Sequence, residues 1–378
     1  MAFVAGPRQV GKTTLSKQLC DRYLNWDNMS DRAVIVRGAD AVAGLLDLNA
    51  LHSRRIITVF DELHKYSKWK GFIKGFFDIY GDKTNCIITG SARLNIFKRG
   101  GDSLMGRYFL YRMHPLSTAE IISADIADSE LRLPKAIGDD DWNALLEFGG
   151  FPEPYSRRDR RFYNRWRRLR TEQLFTEDVR DLTKVQEISQ IQLLADIVRG
   201  QSCQLMNYAK LAAAVNVSQD TIKRWILILE NLYYAFTIRP WHRNVKKSLL
   251  KQPKIFLWDW TLCSDAGSRN ENFIASHLLK AVHFWTDYGF GDYALYFVRD
   301  KMKREVDFLV TKNDQPWFLV EVKTSDRKIS PHLKYFQDQT GAAHAFQVDF
   351  ERDFVDQDCF MSADPIKVPV RTFLSQLV

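Results

Sequence analysis

Met1 to Thr14 reads MAFVAGPRQVGKTT, and Gly6, Gly11, Lys12 and Thr13 fit the spacing G-x-x-x-x-G-K-[ST]. No other stretch constrains the fold around it as tightly. A glycine-rich turn can curl so that successive backbone N–H groups face a polyphosphate, and the helix that follows adds positive potential. The candidate cradle is Gly6, Pro7, Arg8, Gln9, Val10, Gly11, Lys12, Thr13 and Thr14. Lys12 would reach the β- and γ-phosphates of ATP, and the Thr13 hydroxyl would bind Mg²⁺. Phe3, Val4 and Ala5 can end a strand, while Leu15, Leu19 and Tyr23 recur at helical spacing. A chance loop can match the pattern, but strand–loop–helix placement favours nucleotide binding in an α/β domain.

The next chemical signal is Ile56-Ile57-Thr58-Val59-Phe60-Asp61-Glu62. A β-branched run ending in two acids suits a central parallel strand whose C-terminal end faces a ligand. Asp61 would hold Mg²⁺ through water, and Glu62 would orient or deprotonate the attacking water. A buried strand followed by a solvated acidic turn is the plainer reading. Asn85 to Ser91 repeats the design, so Ser91 or Thr89 could lie beside the γ-phosphate and report its presence. Arg107, ahead of an apolar strand over Tyr108 to Met113, reads equally as a phosphate contact in its own or a neighbouring subunit and as a surface ion pair.

GPRQVGKTT, YLNWD, TVFDELHKYSKW, IITGSARL, SLMGR and MHPLSTAE occur in an order that resembles a large bacterial and archaeal group of AAA+ ATPases. Those proteins carry a C-terminal domain of uncharacterised function that looks like the PD-(D/E)xK nuclease fold. The resemblance implies Lys12 and Thr13 on phosphate and Mg²⁺, Asp61 and Glu62 as the acidic pair, and Ser91 as a sensor. Relatives usually place a helical segment ahead of the first strand, whereas this sequence begins inside that strand. No base-contacting residue is assigned.

Gly149 to Pro154 (GGFPEP) marks a boundary, because Gly and Pro punctuate structure. Arg157 to Arg170 then packs eight arginines into fourteen residues, with Phe162, Tyr163 and Trp166 interleaved. That pattern suits a nucleic-acid backbone with base stacking. A helix that buries its aromatics and solvates its arginines reads as well. Residues 204 to 257 read as a winged helix-turn-helix. Tyr208–Val215 is the first helix, Ser218 caps the second, and Ile222, Ile226, Leu229 and Tyr233 share its buried face. Gln219, Lys223 and Arg224 face outward, and Arg243, Lys246, Lys247 and Lys251 lie at the loop of a wing. DNA contact and a protein-docking lid remain alternatives there.

From Glu271 the expected order is helix, three strands, helix, strand. Ile274, Leu278, Ala281 and Trp285 share the helix face, and the strands are Tyr293–Arg299, Glu305–Thr311 and Trp317–Lys323. Period-2 alternation puts Trp317, Leu319, Glu321 and Lys323 on one face. A symmetric turn over Lys312–Pro316 sets Asp307 opposite Glu321. Facing carboxylates repel unless a cation lies between them, and Mg²⁺ or Lys323 is a candidate. This is the D-x(n)-E-x-K arrangement of PD-(D/E)xK nucleases, to which the resemblance also points. Asp307 and Glu321 would bind Mg²⁺ or Mn²⁺, Lys323 would stabilise developing charge, and Glu271 would complete the site. Structural ion pairs in a fold without that chemistry are the other reading.

The fold class expected is therefore α/β: a P-loop AAA+ parallel-sheet core over 1–125, a helical lid or linker over 126–200, a winged helix-turn-helix over 201–262 and a restriction-endonuclease-like domain over 263–378. A length of 378 residues accommodates this. The formal charge of +8 suits a polyanion, with DNA as the expected partner alongside a homo-oligomer or a protein partner. Five lone cysteines argue against zinc and for a reduced, cytoplasmic setting. No apolar run approaches the roughly 18 residues that a membrane span needs.

Overall fold

The computed structural model describes residues 1–90, 104, 106–126, 128–179, 187–242, 251–325 and 328–378. The chain divides into two compact units, Met1–His114 and Pro115–Val378. The segments expected over 126–200, 201–262 and 263–378 all fall inside the second unit.

The first unit runs β1 (Ala2–Ala5), α1 (Lys12–Leu19), β2 (Arg22–Asn25), α2 (Met29–Arg37), α3 (Ala39–Leu45), β3 (Ile56–Asp61), α4 (Trp69–Tyr80), β4 (Thr84–Gly90) and β5 (Phe109–Arg112). Every strand pair is parallel, and the order β2-β3-β4-β1-β5 places β1 between β4 and β5. Phe3, Phe60 and Ile88 from three of these strands are fully buried, as strands covered on both faces require. The amphipathic α4 supplies one cover, burying Trp69, Ile73, Phe76 and Tyr80 at i, i+4, i+7 and i+11. β2 ends at Asn25, ahead of Trp26 and Asp27. The Asn25 side-chain oxygen accepts from the Asp27 N–H at 2.9 Å, and this local bond turns the chain.

The second unit begins with the helices α5 (Thr118–Ile122), α6 (Asp139–Phe148), α7 (Pro152–Arg157), α8 (Arg160–Gln173), α9 (Ile188–Gly200), α10 (Tyr208–Val215) and α11 (Gln219–Asn231). Strands β6 (Ala235–Pro240) and β7 (Lys254–Leu257) follow, then the long α12 (Ala266–Tyr288). Next come β8 (Tyr293–Arg299), β9 (Glu305–Lys312), β10 (Gln315–Lys323), α13 (Pro331–Thr340), β11 (His344–Asp349), β12 (Ile366–Pro369) and α14 (Val370–Ser375). One seven-stranded mixed sheet orders them β12-β11-β10-β9-β8-β6-β7. The strands read as a wing are thus the edge of the C-terminal sheet, with Arg239 of β6 in register with Tyr296 of β8. On α12, Ile274, Leu278, Ala281 and Trp285 are all fully buried.

The β9–β10 hairpin differs from the symmetric turn read from sequence. Its turn is the pair Asn313-Asp314, both left-handed (φ 50° and 62°), which sets Gln315 against Lys312. A bulge between Pro316 and Phe318 then shifts the register by one and restores the pairing that a symmetric turn sets, with Val320 opposite Phe308 and so Glu321 level with Asp307. The bulge also takes Trp317 off the face of Leu319. Trp317 packs on Trp285 and Phe360, whereas Leu319 joins the cluster of Leu333 and Phe336. Among the described residues no helix is long and apolar enough to cross a membrane.

Candidate functional site

The P-loop leaves β1 at Gly6, where Met113 donates its N–H to the Ala5 carbonyl at 2.7 Å. A Cβ on Gly6 would sit 2.3 Å from the Met113 carbonyl oxygen, so only glycine fits. Gly11 caps α1 at φ +104°, a conformation that L side chains resist. Lys12 is buried and curls back over the loop, its ammonium donating to the carbonyls of Gly6 (2.8 Å) and Pro7 (2.6 Å). Val10 is buried, Arg8 half-buried and Thr14 exposed.

Thr13 Oγ1 donates to Asp61 Oδ2 at 2.9 Å. Tyr23 of β2 and Thr89 of β4 also donate to Asp61, so its carboxylate is held from three elements. Burial, then the Asp61 hydrogen bond and charge, push the Tyr23 hydroxyl pKa up, which keeps it a donor. Glu62 takes a left-handed backbone (φ 55°). Its carboxylate lies 3.5 Å from the Lys65 ammonium and 3.7 Å from His64 Nε2, and Lys65 is itself anchored by Asp27 at 2.6 Å. Burial raises the Glu62 pKa and Lys65 works against it; Asp61 adds to the rise, while Lys12 and Arg8 oppose it. Lys12, Thr13, Asp61 and Glu62 therefore converge at the C-terminal edge of the sheet. Ser91 lies outside the described residues, whereas Thr89 is bound to Asp61.

Arg107 is not part of this convergence. The parallel register Ala2↔Phe109 to Ala5↔Arg112 sets Arg107 at the N-terminal edge, with four residues of strand, roughly 13 Å, before the P-loop level. Its guanidinium pairs with Asp78 at 2.7 Å and 3.2 Å. Of the readings for Arg107, the ion pair is the one present, and a phosphate in its own chain is out of reach. Arg112, which carries no motif in the sequence, is the arginine level with Ala5.

In the second unit a cation and several acids from three elements meet. Lys254 on β7 is 4% exposed. Its ammonium lies 2.7 Å from Glu305 Oε1 and 3.0 Å from Glu271 Oε1, with Asp307 Oδ1 at 3.8 Å. The other Asp307 oxygen accepts from the Val322 N–H at 2.8 Å, and the other Glu305 oxygen pairs with Arg299 at 2.5 Å. Lys323 reaches Glu321 Oε1 at 2.7 Å, while the buried Glu321 Oε2 has no hydrogen-bond partner among the described residues. Burial, then repulsion from Asp307, raise the pKa of both Glu271 and Glu321. Burial also works against the Lys254 charge, yet Glu271, Asp307 and Glu305 outweigh it and hold the lysine protonated. Around this cluster four carboxylates meet three cations, Lys254, Arg299 and Lys323.

Glu271, Asp307 and Glu321, the residues expected to hold a metal, thus lie with Lys254 and Lys323 among them. Among the described residues no three Asp, Glu, His or Cys groups are placed to hold a metal ion. Lys254 and Glu305 were missed from sequence. The only trace of them is a lysine opening the apolar run KIFLW and an acid two residues before Asp307.

Residues 1–122 match an AAA domain. The first unit is therefore AAA-like, and such a domain implies a nucleotide and usually Mg²⁺. Residues 139–272 match a domain of unknown function (DUF8612), and 266–360 match a second (DUF4143). Lys254 falls in the former alone, and Glu305, Asp307 and Glu321 in the latter alone. Neither matched segment thus contains the whole cluster. Two uncharacterized proteins, one from Mycobacterium tuberculosis and one from Mycobacterium bovis, are each 23% identical over 345 residues, covering 88% of this chain and 73% of the relative.

The basic stretch runs from Arg157 at the end of α7 into α8, where Tyr163 and Trp166 are buried. Arg170 is half-buried, 3.4 Å from Asp259 and 3.9 Å over the Phe151 ring. Arg157 and Arg160 pair with Glu153 and Glu147, and Arg168 with Glu172. Helices α10 and α11 meet at a left-handed Asn216, and Ser218 accepts from the Thr221 N–H. Lys223 pairs with Asp220 and Arg224 with Glu187. A pocket of about 430 Å³ opens beside α11, lined by Tyr208, Lys223, Glu230, Arg239 and Lys251. Arg243, Lys246 and Lys247 lie outside the described residues.

Proposed function

We propose that this protein binds and hydrolyses ATP at its P-loop and uses that cycle to control how the second unit engages nucleic acid, with DNA as the substrate class. The Thr13–Asp61 hydrogen bond carries the first half, because it aligns the two groups that a P-loop site needs on the hydrated metal. Thr13 and Asp61 would hold Mg²⁺, which would supply neutralisation of the phosphate charge. The Lys12 ammonium, now on the loop carbonyls, turns to the phosphates, while the loop N–H groups cradle them. Glu62, with its pKa raised by burial, takes a proton from the attacking water. The second half draws on the +8 charge, the helix-turn-helix geometry of α10 and α11, and the nuclease-like order of helix and strands from α12 to β11.

Measuring nucleotide affinity and phosphate release separately tests the ATPase. Lys12→Ala should lose affinity, whereas Glu62→Gln should keep ATP and lose turnover. Equal turnover in Glu62→Gln and wild type would remove Glu62 from the chemistry. A second reading makes the second unit a docking module for a protein partner, switched by ATP without cleavage. The lysine among its carboxylates favours that reading.

A further inference from the structure

We propose that the Lys254 ammonium is the resident cation of the C-terminal carboxylate cluster, filling the place among Glu271, Glu305 and Asp307 that a divalent metal would need. The distances are those of an ammonium and not of a metal centre. Lys254 Nζ stands 2.7 Å from Glu305 and 3.0 Å from Glu271, the range of charge-assisted N–H···O bonds. Hard cations sit at roughly 2.0 to 2.6 Å from carboxylate oxygens. The lysine arrives from β7, where Ile255, Phe256 and Leu257 are buried with it. Burying one ammonium or three carboxylates alone is prohibitive, so each stabilises the other. Two of the three acids already spend their second oxygen elsewhere, Asp307 on the Val322 N–H and Glu305 on Arg299. A metal would have to expel Lys254 into an apolar interior and also break those bonds.

The consequence is that this cluster is metal-independent and acts as a charged brace joining β7, α12 and β9.

Thermal melting of the full-length, nucleotide-free protein after chelation, with and without 1 mM Mn²⁺ as the probe, decides it. Lys254→Met should melt several degrees lower than wild type and recover a large part of that loss with Mn²⁺, since the vacated position then faces uncompensated acids. Adding Glu271→Gln to Lys254→Met should remove the recovery. Wild type and the single variant Glu271→Gln should respond to Mn²⁺ identically. A Mn²⁺ stabilisation of wild type that Glu271→Gln abolishes would overturn the proposal, because metal would then be binding beside Lys254. A folded Lys254→Met that is as stable as wild type and unresponsive to Mn²⁺ would overturn it as well. Should Lys254→Met not fold, the comparison of wild type with Glu271→Gln is decisive alone. ATP turnover of these variants reports separately on the first unit.

Discussion

Thr13 at the start of α1 donates a 2.9 Å hydrogen bond to Asp61 at the end of β3, 48 positions away. Because β4 lies between β1 and β3, neither residue reaches the other through strand pairing. The bond exists because both sit at the C-terminal edge of one parallel sheet, where α/β sheets place ligands. Tyr23 and Thr89 fix Asp61 from the flanks, so the carboxylate is oriented before any nucleotide arrives.

Replacing Thr13 by Val removes the hydroxyl but leaves Lys12 and the loop N–H groups in place. Nucleotide affinity in EDTA should then stay close to wild type, while the gain from added Mg²⁺ and the turnover both fall at least tenfold. The check is nucleotide titration with and without Mg²⁺. An unchanged Mg²⁺ gain would place the metal away from Thr13.

His277 is a buried neutral imidazole. Its Nδ1–H donates to the Phe273 carbonyl at 2.8 Å, and its Nε2 accepts from the Thr118 N–H at 3.1 Å. Burial, aided by the nearby Lys280 and opposed by the Phe273 hydrogen bond, lowers its pKa from 6.5 to about 4. The unfolded chain therefore takes up the proton first, and stability falls as pH drops from about 6.5 toward 4, by roughly 1.4 kcal/mol per pH unit at the steepest. His277→Gln should be less stable at pH 7 but lose this slope. Chemical denaturation at several pH values measures it, and an undiminished slope in the variant would assign the effect to other groups.

If nucleic acid lies along α11, the basic lining of the adjacent pocket makes phosphate contacts. Lys223 and Lys251 are the cations to test. Replacing both by alanine should flatten the slope of log affinity for duplex DNA against log salt by about 2, one counterion for each lost contact. An unchanged slope would move the DNA elsewhere or support the protein-docking reading.

The sequence by itself determined what depends on short-range spacing. Gly6, Gly11, Lys12 and Thr13 are read within one loop, the face of Ile274, Leu278, Ala281 and Trp285 within one helix, and the Asp61-Glu62 pair at the end of one strand. In each case backbone geometry over a few residues fixes where side chains point. The tertiary structure alone decided what depends on which distant segments pair. It set Arg107 at the wrong edge of the sheet for the P-loop, through the parallel register of β5 on β1. It introduced the bulge that carries Trp317 away from Leu319. It also brought β7 to the sheet edge so that Lys254 meets Glu271, Glu305 and Asp307. Strand order and bulges follow from packing the whole core, and a buried charge must take its partner from whatever that packing places beside it. No local spacing records that choice.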